Sequence, residues 1–167
     1  HLPSPPAQIE DGKIFLDEEN LLSASNERMR SLRGTEISMV FQDPMSCLNP
    51  YMTILEQVAE PLIIHKIADP AQALEKAMEM LIRVGVDKIR DRKGAFPHEF
   101  SGGMRQRAMI AMALATKPNL LLADEPTTAL DVTVQAKILR LLKSLCQDFG
   151  TSVLFVSHDL SVVAEIA

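Results

Sequence analysis

The spacing of apolar and polar positions divides the chain into a few short strands and several longer helices. The proline-rich start, "HLPSPPAQ", predicts irregular backbone. "GKIFLD" then reads as a short strand and "EISMVFQD" as a buried one. "DPMSCLNPYM" follows as a loop broken by Pro44 and Pro50. From Thr53 to Lys66 the apolar residues recur at helical spacing. Asp69 is placed to cap the next helix, with Pro70 at its first position and Gly85 at its end. A further helix is predicted over Gly103 to Thr116. "NLLLAD" is a continuous apolar strand of the kind buried in a parallel sheet. Val132 to Asp148 is helical in pattern, with Gly150 after it. "SVLFVS" is a second buried strand, and His158 opens a last helical piece. The order is strands, a helical insert from about Met45 to Ala115, then strand–helix–strand–helix. Such an order predicts an α/β core with a parallel sheet.

With 167 residues, 47% of them apolar, the chain can bury the core of one domain or of a domain with a small subdomain. It begins at His1 rather than methionine and stops at Ala167 inside a helical pattern, so the expectation is a piece cut at both ends. The longest apolar run, Ala108 to Ala115, is far shorter than the roughly 20 residues a membrane-spanning helix needs. The first residues show no basic-then-apolar leader pattern. A net charge of −5, with the acids spread out, argues against a nucleic-acid partner. Cys47 and Cys146 have neither paired nor metal-ligand spacing and read as reduced, buried thiols of a cytosolic protein.

The candidate chemistry sits at predicted strand ends and at one helix start. "LLLADEPTTALD" brings a buried strand out at Asp124 and Glu125. Ligands of open α/β sheets bind beyond the carboxyl ends of the strands. There one carboxylate suits Mg²⁺, which takes carboxylate and phosphate oxygens, and the other suits an attacking water. Solvated acids or a helix cap are the alternative for that pair. In "FSGGMRQR", Ser101, Gly102 and Gly103 bring a hydroxyl and bare backbone to a helix N-terminus, a place suited to a phosphate. The alternative is a turn with Ser101 as N-cap. Arg105 and Arg107 follow, as added positive potential or as a solvated, salt-bridged helix face. His158 follows "VLFVS" and suits a phosphate or a water, or else a cap. Gln42, after "ISMVF", suits Mg²⁺ or a water, or else is a polar turn residue.

Taken in order and spacing, "FQDP", "FSGGM", "LLLADEP", "ALD" and "VSHD" resemble the Q-loop, signature, Walker B with catalytic glutamate, D-loop and switch histidine of ABC ATPases. The resemblance covers nearly the whole chain. It implies a P-loop NTPase fold of the ABC type: a RecA-like parallel-sheet core, here in 1–44 and 117–167, with an α-helical subdomain over 45–116, the whole truncated at both ends. It implies two such domains sandwiching two ATP molecules head to tail. Asp124 then holds Mg²⁺ through water, Glu125 polarises the attacking water, and His158 contacts the γ-phosphate. Gln42 links the Mg²⁺ site to the helical subdomain. Ser101, Gly102 and Gly103 bind the ATP of the partner subunit, and Asp131 crosses the dimer interface.

Phe100 and Met104 depart from the usual LSGGQ signature. "FQDPM…LNP", "PHEFSGGMRQR" and "ADEPTTALDVTVQA" are similar to the ATPases of oligopeptide and dipeptide importers and of their nickel- and glutathione-transporting relatives. That similarity implies an ATPase of the same or a paralogous kind as partner and two membrane permeases docked near Met45 to Glu60. It also implies a periplasmic or extracellular solute-binding protein acting indirectly, and a peripheral place on the cytoplasmic face of the cell membrane. Two other classes are weighed. One is a soluble ABC ATPase acting on DNA or ribosomes; those acting on DNA through coiled coils carry long insertions, whereas here Gln42 lies only 59 positions before Ser101. A non-catalytic half-domain is opposed by Glu125 and His158, which complete the hydrolytic end.

A phosphate-cradling G-x-x-x-x-G-K-[ST] loop is missing. Gly12–Lys13 is a decoy, expected on a strand, because Ala7 stands at the first glycine and Ile14 at the Ser/Thr position. In the family the true loop and the adenine-stacking aromatic come earlier in the polypeptide. Residues 1–167 alone are therefore expected to fold poorly, to bind ATP weakly and to hydrolyse it little. An ATPase assay that found them as active as a whole domain would overturn this.

Overall fold

Why the carboxyl ends of three strands meet follows from how two compact units, His1–Leu32 and Arg33–Ala167, are built. The computed structural model describes residues 9, 11–43, 47–127 and 131–159, without the side chain of Val132. In the first unit, β1 (Phe15–Leu16) and β2 (Glu19–Asn20) pair antiparallel around Asp17, whose φ is 51°. The strand expected over "GKIFLD" thus shrinks to two residues, and Gly12–Lys13 lies in irregular chain before it, with Gly12 at φ 122°. Helix α1 (Asn26–Leu32) was not expected. Its entry is held by Ser25 Oγ, which accepts from the Arg28 amide at 3.1 Å. The Arg28 guanidinium reaches both carboxylate oxygens of Glu19, which holds the Glu19 carboxyl below its ordinary pKa.

In the second unit β3 (Ile37–Val40), β4 (Leu120–Asp124) and β5 (Ser152–Val156) form an all-parallel sheet in that order. Val40 lies opposite Ala123, and Ala123 opposite Phe155. Among the described residues the longer helices of this unit are α2 (Ile54–Ile64), α3 (Pro70–Arg83), α4 (Gly102–Leu114) and α5 (Val132–Phe149). Asp69 caps its helix as the sequence predicts, and α2 starts on a capping box that the reading of the sequence did not name. Thr53 and Glu56 form a reciprocal capping box on α2, and Asp69 Oδ1 accepts from the Gln72 amide at 3.0 Å on α3. Gly85, at φ 81°, ends α3 in the left-handed region. A Cβ on Gly85 would lie 3.0 Å from Arg107 Nη1, which donates to the Val84 carbonyl. Gly150, at φ 68°, ends α5 in the same way. Residues 160–167, where the last helical piece is expected, lie outside the described residues, as do Ala129 and Leu130 of the "ALD" motif.

The core joins Ile54, Val58 and Leu62 of α2 to Leu81 of α3 and Ile110 and Leu114 of α4. It continues through Val40, Leu121 and Ala123 of the sheet to Ile138 and Leu142 of α5. Strand side chains alternate between faces, and Val40, Leu121 and Ala123 all point to this one face. The other face carries Met39, Leu122 and Leu154, with Leu154 57% exposed. The expectation that "SVLFVS" is a buried strand is therefore corrected, while β3 and β4 are buried or half-buried throughout. Among the described residues the helices cover a single face, and β5 is an edge strand. Beside it a groove of about 260 Å³ is lined by Leu142, Cys146, Val153 and Phe155. Burial there pushes the Cys146 thiol up to about 11, which keeps it protonated and unreactive. At the far end of α5, Asp148 bonds Arg83 at 2.5 Å, and the Arg83 guanidinium lies 4.7 Å from the Phe149 ring centroid.

Two substitutions test this construction. Thr53→Ala removes the hydroxyl half of the capping box, leaving the backbone amide to donate to Glu56, and is expected to cost about 1 kcal/mol. Leu81→Ala leaves a cavity in the core and is expected to cost about 2–5 kcal/mol. Urea unfolding of each variant measures the difference.

Candidate functional site

Each strand of the parallel sheet delivers one polar residue at its carboxyl end. Gln42 comes two residues after the last residue of β3, Glu125 directly after β4, and His158 two residues after β5. The parallel register sets these ends level, and the three side chains meet. Gln42 Nε2 donates to Glu125 Oε2 at 3.0 Å. His158 Nδ1 lies 2.6 Å from Glu125 Oε1. The Glu125 side chain is mostly buried and that of His158 is exposed, so the carboxylate sits at the base of the site with the imidazole over it.

Hydrogen bonding to Glu125, and then its negative charge, raise the His158 pKa above the ordinary 6.5. A carboxylate beside an imidazole favours the imidazolium. The linkage follows that sign. The extra stability from this contact is full below pH 6.5 and is lost as pH rises through the elevated pKa of the folded state.

Glu125 itself is held in an uncommon backbone state. Its φ is 46°, in the left-handed region that L side chains rarely enter. Its amide donates to the Val156 carbonyl at 3.0 Å, which ties the turn to β5. Asp124 is the last residue of β4, half-buried, and points to the face opposite Ala123. Two oxygen donors, the Asp124 carboxylate and the Gln42 amide oxygen, fit Mg²⁺, which keeps several waters and takes few protein ligands. Among the described residues no three His, Cys, Asp or Glu side chains converge as a metal cage would require.

The Ser-Gly-Gly turn is separate from this cluster. Ser101 caps α4, its Oγ accepting from the Met104 amide at 3.4 Å, so the capping role foreseen for it is present. Ser101 and Gly102 are exposed, which leaves the helix start open to solvent. Gly103 is small for a reason of space: a Cβ there would come within 3.2 Å of Val134 Cγ1. That contact lays the start of α4 against the first turn of α5, three residues from Asp131. Asp131 is exposed and makes no side-chain cap bond to α5. Arg107 serves the end of α3, so the helix-face reading of that residue gives way to a capping one.

Two buried amides were missed by reading the sequence. Gln57, on α2, accepts from the Asn49 amide at 2.8 Å and donates to the Asn49 and Met52 carbonyls, which fixes the segment after Gln42 onto the helix. Gln106, on α4, donates to the Pro126 carbonyl. Gln106 stands between Arg105 and Arg107, so no local apolar pattern marks it as buried.

This arrangement can be set beside known proteins. A family model described as ABC transporter matches residues 4–128. The chain belongs to the ABC transporter family. Within it, the chain is 54% identical over 164 residues to a probable peptide ABC transporter ATP-binding protein of Sinorhizobium fredii, covering 98% of this chain and 49% of that relative. It is 49% identical over 166 residues to an oligopeptide transport ATP-binding protein of Bacillus subtilis, covering 99% of this chain and 46% of the relative. The chain thus spans about half the length of the curated relatives it matches. A dimeric, post-hydrolysis ATP-binding cassette bound to ADP and Pi superposes with a TM-score of 0.79 at 32% identity, over 93% of this chain and 66% of that one. The fold is that of an ABC cassette, with its parallel sheet and helical segment between β3 and β4. No helix among the described residues is long and apolar enough to cross a membrane.

The His158–Glu125 contact is open to direct measurement. In an NMR titration His158 is expected to titrate above 6.5, and Glu125→Gln, which removes the charge, is expected to bring it back toward that value. Equal titration in both proteins would contradict the contact.

Proposed function

We propose that this chain is the nucleotide-binding part of an ATPase subunit that powers a peptide-type ABC importer. The observation that carries the proposal is the Glu125 carboxylate, held by Gln42 and His158 at the carboxyl ends of three parallel strands. The names of its peptide-transporting relatives support the choice of cargo class.

Glu125 is the residue that polarises the attacking water. Its carboxylate is shared between Gln42 and His158, so a water takes the place of one of these donors and is then hydrogen-bonded by a fixed acceptor. His158, with Nδ1 turned to Glu125, keeps Nε2 as its second hydrogen-bonding nitrogen for the γ-phosphate. Mg²⁺, when bound, neutralises charge on the phosphates. Asp124 and Gln42 are the residues that would hold it. Gln42 thereby links the nucleotide site to the segment that Gln57 fastens to α2, the face that receives the permeases near Met45 to Glu60.

The exposed Ser101, Gly102 and Gly103 complete the ATP site of a second ATPase subunit, identical or paralogous, in a head-to-tail dimer, and Asp131 faces that same interface. Residues 1–44 and 117–167 belong to the catalytic core and 45–116 to the helical subdomain. The subunit lies peripherally on the cytoplasmic face of the cell membrane, with two permeases and, indirectly, a solute-binding protein as partners, and without nucleic acid.

Glu125→Gln in the full-length polypeptide tests the proposal. ATP hydrolysis is expected to fall by roughly 10²–10⁴-fold, the usual worth of a positioned acid or base. ATP binding, followed by a fluorescent analogue, is expected to remain. Undiminished hydrolysis would remove Glu125 from the role assigned to it.

A further inference from the structure

Gln106 is the most unusual buried side chain of the second unit. It is 1% exposed, on a helix whose other buried side chains are apolar. A primary amide buried there loses its hydration and needs a partner. The partner is remote in sequence: the side chain donates to the carbonyl of Pro126. Pro126 directly follows Glu125, the residue at φ 46°.

The turn at Glu125 is therefore fixed on both sides. On its amide side it is tied to β5 through the Val156 carbonyl, and on its carbonyl side to α4 through Gln106. A strained conformation persists only when its surroundings over-determine it. Gln106 also lies little more than one helical turn beyond Gly102, on the same rigid helix that Ser101 caps. A displacement of the open end of α4 is thus delivered to the Pro126 carbonyl, and through it to the backbone of Glu125.

We propose that Gln106 is a positioning residue for hydrolysis, holding Glu125 in its left-handed conformation and making that conformation depend on the placement of the Ser101–Gly103 turn. The proposal rests on the reading of Glu125 given under Proposed function. It assigns Gln106 no contact with nucleotide or water. It does give the exposed turn of one subunit a route to that subunit's own water-activating carboxylate, independent of the site the turn completes across the dimer.

Gln106→Met in the full-length polypeptide is the test, since methionine keeps the length and flexibility of glutamine and removes the amide that donates to Pro126. The kcat for ATP is expected to fall by about tenfold with KM changed by less than about twofold, the split of an effect realised in the transition state. Amide hydrogen exchange at Glu125 is expected to quicken by about tenfold while Ile110 to Leu114 of α4 exchange as before. A folded Gln106→Met protein with unchanged kcat, or with unchanged exchange at Glu125, overturns the proposal. Should that variant not fold, Gln106→Asn, which keeps an amide but withdraws it by one methylene, carries the same two readouts with the same criteria. A wild-type polypeptide that hydrolyses no ATP would instead sink the proposed function, and exchange at Glu125 would still decide whether Gln106 holds the turn.

Discussion

The site depends on the register of three parallel strands. Val40, Ala123 and Phe155 lie side by side, so the chain leaves the sheet at the same level three times. Gln42, Glu125 and His158 meet because of that level. A slip of one residue in β4 would turn Asp124 and Glu125 to opposite faces and carry Leu121 and Ala123 out of the core. The apolar packing of Val40, Leu121 and Ala123 against α4 and α5 therefore specifies the polar site as well. Energy from burying these side chains is spent on geometry several ångströms away, at the strand ends.

Glu125 shows how such a scaffold supports an unfavourable local state. A left-handed backbone at a residue with a Cβ costs on the order of 1–3 kcal/mol. Here that cost is met by four ties, two at the backbone of Glu125 and Pro126 and two to the carboxylate, and together they reach three segments of the second unit. The site is consequently a junction at which β5, α4 and the segment after β3 meet one residue. A change in any of these is felt at Glu125 without passing through the hydrophobic core.

Most of this organisation was legible in the sequence, for reasons that differ from element to element. Asp69–Pro70, Gly85 and Gly150 are local signals, and the helices they bound form where they indicate. The strands were legible as apolar runs, but the exposure of β5 was not. "SVLFVS" reads as buried because a parallel strand is normally covered twice, whereas helices cover only one face among the described residues. α1 was overlooked because its capping signal at Ser25 precedes a segment too short and too polar to show periodicity. In the site, Gln42, Glu125 and His158 were each found at a strand end, and the structure brings them together. That Gln42 and His158 converge on opposite oxygens of one carboxylate depends on tertiary register, which no local pattern encodes. Gln57 and Gln106 escaped notice because their partners are carbonyl groups, and backbone acceptors carry no signature in the sequence.

The edge position of β5 among the described residues leaves one side of that strand unpaired. Residues 152–156 combine β-branched and aromatic side chains with no charge and no proline, and their outer rim presents backbone amides and carbonyls with no strand beside them among the described residues. Val153, Leu154 and Val156 are exposed along it. Among the described residues, the strand that delivers His158 to Glu125 thus also offers a free row of backbone donors and acceptors, the place on this sheet open to the addition of a further strand.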